Sequence, residues 1–146
     1  MNDPIQLAEK FFEQGYSCSQ SLLCAFAGQL GMDEKTAIKI ASPFGGGIAR
    51  QGETCGAVTG ALMVLGLKFG PKAGESNDNA YSIAQEFIQR FQEHHTYIKC
   101  KQLINFDISQ PQELRAAREA QVFHKTCPEL VRSAVEIVNH MIISTP

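Results

Sequence analysis

Five cysteines occur in this chain of 146 residues, and three of them follow a residue suited to capping a helix. Ser17-Cys18-Ser19-Gln20 has the S-x-x-Q form of a capping box, and Thr126-Cys127-Pro128-Glu129 has the T-x-x-E form with proline early in the first turn. Both patterns put the cysteine at the first helical residue. Thr54 is a candidate N-cap for Cys55, and Cys100 stands near the expected start of a further short helix. The first turn of a helix has unpaired N–H groups and the positive end of the macrodipole. A thiolate is stabilised there, which makes it the nucleophile or the metal ligand.

Helical spacing also aims these thiols. Cys127 shares a face with Leu130, Val131, Ala134, Val138 and Met141. Cys55 shares one with Val58, Leu62, Leu65 and Phe69, and Cys18 one with Leu22 and Ala25. All three are expected to look toward one interior. Taken singly, a cysteine on an apolar face is more often a small buried hydrophobe. Repetition of the cap-then-cysteine placement shifts the balance toward chemistry. Cys24 has no cap and no motif, and reads as core. No C-x-x-C occurs, so ribbon-type zinc sites, thioredoxin-type motifs and haem attachment are not indicated. A site assembled from separate helices remains open.

Gly45, Gly46 and Gly47 could present backbone N–H groups to a cofactor or anion. The P-loop pattern is missing and no strand precedes them, so a tight connection close over a packed helix is the better-supported reading. Gly56-x-x-x-Gly60 suggests close approach of another helix. His94, His95, His124 and His140 are candidate bases or ligands with no spacing that singles one out.

The elements that must position these residues are helical throughout. Asp3-Pro4 opens a first helix ended by Gly15, and a second runs from about Ser17 to Leu30. A third, capped by Asp33, buries Ala37, Ile40 and Ala41 before Pro43. An irregular stretch from Phe44 to Gly52 leads to a helix from about Cys55 to Phe69. A long helix follows with the stripe Ala80, Ala84, Phe87 and Phe91. A short one starts near Cys100, one after Pro111 reaches about Lys125, and the last starts at Cys127. The expectation is an all-α fold, a compact single-domain bundle of about six to seven helices spanning 1–146.

Hydrophobic residues make up 44% and charged residues 19%, the balance of a globular protein. The net charge of −2 argues against nucleic acid as a partner. The most apolar run, between Glu53 and Lys68, is short of the roughly 20 residues that span a bilayer. The N-terminus has no signal-like pattern, so a reducing, cytoplasmic setting is expected. Cysteines that act there tend to be redox-active, catalytic or metal-bound.

Gly15-Tyr16-Ser17-Cys18-Ser19-Gln20, Phe44-Gly45-Gly46-Gly47, Cys55-Gly56-Ala57-Val58-Thr59-Gly60, Cys100 and Cys127 together resemble the family of proteins of presumed redox activity named for its C–GCAxxG–C–C cysteine pattern. The order here is Cys-Gly-Ala where that name reads Gly-Cys-Ala. The resemblance covers about residues 5 to 140. It implies a helical protein with a redox role carried by Cys18, Cys55, Cys100 and Cys127, with Cys24 outside the set. It supplies no substrate. Three readings follow. The first is a thiol/disulfide redox protein serving an unidentified partner protein or small-molecule electron donor. The second is a metal protein, in which the same four thiolates hold an iron–sulfur cluster or zinc. The third is a helical interaction module with core cysteines. A homo-oligomer is compatible with each.

Overall fold

The computed structural model describes residues 3–145. Local signals explain the starts of the first three helices. Asp3 accepts a hydrogen bond from the Ile5 N–H at 3.0 Å, and Pro4 opens α1, Pro4–Glu13. The Ser17–Gln20 capping box forms in both directions. Ser17 Oγ accepts from the Gln20 N–H at 3.3 Å, and Gln20 Oε1 accepts from the Ser17 N–H at 3.0 Å. It starts α2, Cys18–Ala27, which tightens into a 3₁₀ turn and ends at Gly31 with φ 83°. Asp33 caps α3, Glu34–Ala41, which passes into a 3₁₀ turn over Ser42–Phe44. Then come α4, Gly56–Phe69; α5, Asp78–His95; α6, Cys100–Ile104; α7, Pro111–Glu119; α8, Val122–Lys125; and α9, Cys127–Ser144. The fold is all-α, with nine α-helices among the described residues where about six to seven were expected. The short α6 was expected near Cys100, and the expected helix from Pro111 to about Lys125 is divided into α7 and α8.

The centre of the bundle is α2, whose Leu22, Leu23 and Phe26 have no solvent exposure. It packs most extensively on α4 and α1. Glycines make the α2–α4 approach possible, as the small-residue spacing suggested. A Cβ on Gly60 would stand 2.7 Å from Leu22 Cβ and 2.9 Å from Ser19 O, closer than real side chains come. Phe87 and Phe91 of α5 and Val131, Val135 and Val138 of α9 close the same core. A second, smaller core gathers Cys100, Ile104, Ile108, Ala117, Val122 and Cys127. Phe12 and Cys18 touch both cores, so the cysteines meet along the seam between them.

Several expectations are corrected. Ile40 is 47% exposed, because the buried edge of α3 is the Ala37/Ala41 row and Ile40 lies beside it. The helix after Pro111 breaks at Gln121, which adopts φ 56°, so α7 and α8 are separate. Thr54 does not cap α4. Cys55 itself is the N-cap residue, while Thr54 is held in an isolated antiparallel bridge to Lys99. The Thr126–Glu129 box does not form. Thr126 donates its N–H to Val122 O at 2.8 Å as the end of α8, and its backbone at φ −102°, ψ −45° is helical. An N-cap needs extended backbone to turn its hydroxyl onto the following N–H groups.

No described helix is long and apolar enough to cross a membrane.

Candidate functional site: a four-cysteine cavity

Cys18, Cys100 and Cys127 are the first residues of α2, α6 and α9, and Cys55 immediately precedes α4. All four line one cavity of about 660 Å³. Cys55, Cys100 and Cys127 are buried, Cys18 is half-buried, and all are free thiols. Main-chain bonds fix two of them in register. The Cys55 N–H donates to Ile98 O at 2.7 Å, and the Cys100 N–H donates to Glu53 O at 2.6 Å. A Cβ on Gly56 would lie 3.2 Å from Cys18 Cβ, so Cys18 sits directly over the start of α4. Cys24 is buried elsewhere and faces a different cavity, beside Lys10, Gln14 and Glu34.

The glycine run forms part of the cavity wall. Gly46, Gly47, Ile48, Ala49 and Arg50 all have positive φ, between 52° and 69°, a left-handed turn that includes three residues with side chains. It is held by inward hydrogen bonds, among them Ala49 N–H to Pro43 O at 2.8 Å and Glu53 N–H to Gly47 O at 2.8 Å. Gly47 is where the packing demands glycine. A Cβ there would fall 2.6 Å from Cys100 Cβ and 2.7 Å from both Glu53 N and Glu53 O. The reading of Gly45, Gly46 and Gly47 as a tight connection therefore agrees with the geometry. These glycines also share the cavity with the thiols.

Electrostatics differ sharply among the four. The neighbouring Cys127 thiol, and then burial, hold the Cys18 thiol well above the ordinary value of 9.0. The neighbouring Cys18 thiol lowers Cys127, against the opposing effect of burial. Burial pushes Cys55 up to about 11, partly offset by the N–H groups of Ala57 and Val58 that face its sulfur. Cys100 is pushed up to about 12, by burial first and then by Cys55 and Cys127 nearby. Cys127 is thus the one thiol of the four that is lowered, and the other three are raised. Four thiolates at once would repel one another in a poorly hydrated space.

Among the described residues, no three His, Cys, Asp or Glu side chains are placed to hold one metal ion. The four sulfurs surround a space without meeting at a point. Two groups stand out in the remaining lining. Phe12, Ile104, Ile108, Leu114, Phe123 and Leu130 are apolar, while Arg50, Arg118 and His124 bring cationic or titratable groups. Sequence reasoning named His124 but missed both arginines. Arg50 had a weak signal in its closeness to the glycine run, and Arg118 had none. His95 and His140 are engaged elsewhere, with Ser133 Oγ at 2.9 Å and with Arg90 at 3.1 Å.

The chain matches no curated protein and no solved structure. Residues 16–141 match a family in which four cysteines give the name, and that span begins just before Cys18 and ends beyond Cys127. With its four cysteines lining one cavity, the chain belongs to the family described as "Putative redox-active protein (C_GCAxxG_C_C)", and its role is redox at that level.

Proposed function

We propose that this is a thiol/disulfide redox protein of a reducing, cytoplasmic compartment, in which Cys18 and Cys127 form the working dithiol. The observation that carries this reading is that Cys18 and Cys127, the first residues of α2 and α9, line one cavity, where each shifts the other's thiol in opposite directions. Cys127, the lowered thiol, attacks one sulfur of an oxidised substrate's disulfide, and the other sulfur leaves as a thiolate that takes up a proton. The Cys18 thiol then gives up its proton and attacks Cys127 Sγ in the mixed disulfide. The Cys18–Cys127 bond forms and the second substrate sulfur leaves, protonated as a thiol. Two cysteines lose two electrons, and one disulfide becomes two thiols. Cys55 and Cys100, with raised pKa values, stay as thiols during this exchange and form a reserve pair. The electron donor that resets the site is a dithiol of a partner protein or a small thiol.

A second reading is favoured by the presence of all four thiols on one cavity. Cys18, Cys55, Cys100 and Cys127 would be the ligands of an iron–sulfur cluster, which is larger than a single ion and would supply one-electron transfer. A lone zinc ion does not fit the arrangement, because no three ligands gather around one point.

The test is anaerobic purification followed by a visible spectrum and iron, sulfide and zinc analysis. Disulfide mapping by mass spectrometry after stoichiometric oxidation completes it. A colourless, metal-free protein that forms the Cys18–Cys127 disulfide supports the thiol reading. Brown protein with iron and sulfide selects the cluster. A first disulfide between any other pair refutes the assignment of the dithiol.

A further inference from the structure

The cavity carries a charge that the proposed chemistry does not use. Arg50 and Arg118 line it, and neither makes an ion pair or a side-chain hydrogen bond among the described residues. His124 joins them, and no aspartate or glutamate lines the space. This is unusual for a chain whose net charge is −2. Elsewhere on the surface, Arg90, Arg132, Lys99 and Lys101 are matched with Glu86, Glu9, Glu136 and Glu53. The N–H groups of Gly45, Gly46 and Gly47, on the same wall, donate to no protein acceptor among the described residues. The lining also includes the apolar side chains of Phe12, Ile104, Ile108 and Phe123. At about 660 Å³ the space falls within the range of small-molecule sites.

We infer that the cavity binds a small organic anion, a low-molecular-weight disulfide bearing carboxylates, with Arg50 and Arg118 holding the carboxylates and the apolar wall holding its hydrocarbon part beside Cys127. The inference rests on the thiol reading above and names the substrate class of that site. Guanidinium groups suit carboxylates because two parallel N–H donors match two oxygens. Cationic lining also raises the local concentration of anions, an effect that salt screens. The reaction balances as before. The Cys18 and Cys127 thiols become one disulfide, and the substrate disulfide becomes two carboxylate-bearing thiols that carry away the two protons.

The experiment compares oxidation of the reduced full chain by three disulfides that differ in charge: dithiodipropionate, anionic; bis(hydroxyethyl) disulfide, neutral; and cystamine, cationic. Each rate is divided by that of the same disulfide with free mercaptoethanol, which removes differences in intrinsic reactivity. At low ionic strength the anionic probe is expected to exceed the neutral one by about tenfold, the cationic probe to be slowest, and added salt to shrink the spread. In Arg50→Gln and Arg118→Gln, both at exposed positions, the anionic-to-neutral ratio falls, and in the double variant it approaches one. Arg50→Lys, which keeps charge but not the planar fork, recovers part of the ratio. Equal normalised rates, or preference for cystamine, overturn the inference. Thiodipropionate, a thioether with the same two carboxylates and no reactive bond, separates the two proposals. If no disulfide oxidises Cys18 and Cys127 but calorimetry shows thiodipropionate binding that is lost in the double arginine variant, the thiol reading fails and the anion site stands. No binding of thiodipropionate, in a chain that the neutral disulfide does oxidise, overturns the anion site and leaves the thiol reading intact.

Discussion

Replacing Gly47 with alanine tests whether the glycine turn shapes the cysteine cavity. The new methyl would stand 2.6 Å from Cys100 Cβ and 2.7 Å from Glu53 N and O, and two of those three neighbours are main-chain atoms. Glu53 O is also the acceptor for the Cys100 N–H, so the clash falls on the bond that sets the Cys100 register. Two costs add. Holding alanine at φ 69° costs about 1–2 kcal/mol of left-handed strain. Forcing a methyl into a filled space costs about 1–3 kcal/mol more. The stiffer unfolded chain returns about 0.4–1 kcal/mol. The expected net loss is about 2–4 kcal/mol by these estimates. Gly74 supplies the control, since its φ is 85° and nothing lies within 4 Å of the position an added Cβ would take. Gly74→Ala should therefore show the strain alone, a loss of about 1 kcal/mol. Urea unfolding of both variants, with unchanged m-values, measures the difference. The relief route for Gly47→Ala is displacement of Cys100, so Cys100 should also become alkylated faster. If Gly47→Ala costs no more than Gly74→Ala, Gly47 is not packed against Cys100 and the turn does not form this wall.

Other outcomes follow from the same geometry. Residue-resolved alkylation across pH should show Cys127 reacting first, below the ordinary 9.0, with Cys55 and Cys100 unreactive until about 11 and 12. Cys18→Ala removes the neighbouring thiol and should move the Cys127 curve upward, and a curve that stays in place would return the effect to the helix terminus. Stability should fall at alkaline pH. An unfolded chain ionises these thiols near 9.0 while the folded chain holds Cys55 and Cys100 protonated to about 11 and 12, so their contribution is complete below 9.0 and lost as pH rises through that window. Denaturation midpoints that stay flat from pH 8 to 11 would contradict it. Cys24→Ala should cost about 1 kcal/mol of packing yet leave oxidation and alkylation of the other four cysteines unchanged, because Cys24 faces a separate cavity. Ala49→Gly should stabilise by about 1 kcal/mol by relieving a left-handed residue with an exposed side chain, a gain that a thermal melt can read.

What the sequence could reveal follows the range of the forces involved. The Ser17–Gln20 box is legible because its hydrogen bonds span three residues and need nothing from elsewhere. The Thr126–Glu129 pattern is the same kind of signal and fails for a non-local reason. Gln121 turns the chain through a left-handed residue into α8, and Thr126 is used up as the end of that helix. A glutamine at φ 56° leaves no mark in composition, and neither do Ile48, Ala49 and Arg50 in their left-handed turn. The glycines beside them announce irregular backbone but not its hand. Helix starts at Cys18, Cys100 and Cys127 are local facts. Their meeting in one cavity depends on how two cores dock along a seam, and Arg118 reaches that cavity only through the orientation of α7.

The lowered Cys127 thiol illustrates how the two levels combine. Local reasoning assigns the shift to a capped helix start, with its unpaired N–H groups and dipole. The direction agrees, yet the capping bond is missing and the largest influence is the neighbouring Cys18 thiol, which arrives from α2. Burial alone would raise Cys127, as it does Cys55 and Cys100. A helix terminus acts on any cysteine placed there, and Cys100 also begins a helix without being lowered. The difference between Cys127 and Cys100 therefore comes from the partner thiol. In the proposed exchange, pairing would make Cys127 the nucleophile and Cys18 the resolving sulfur, and a two-step disulfide exchange needs both conditions at once.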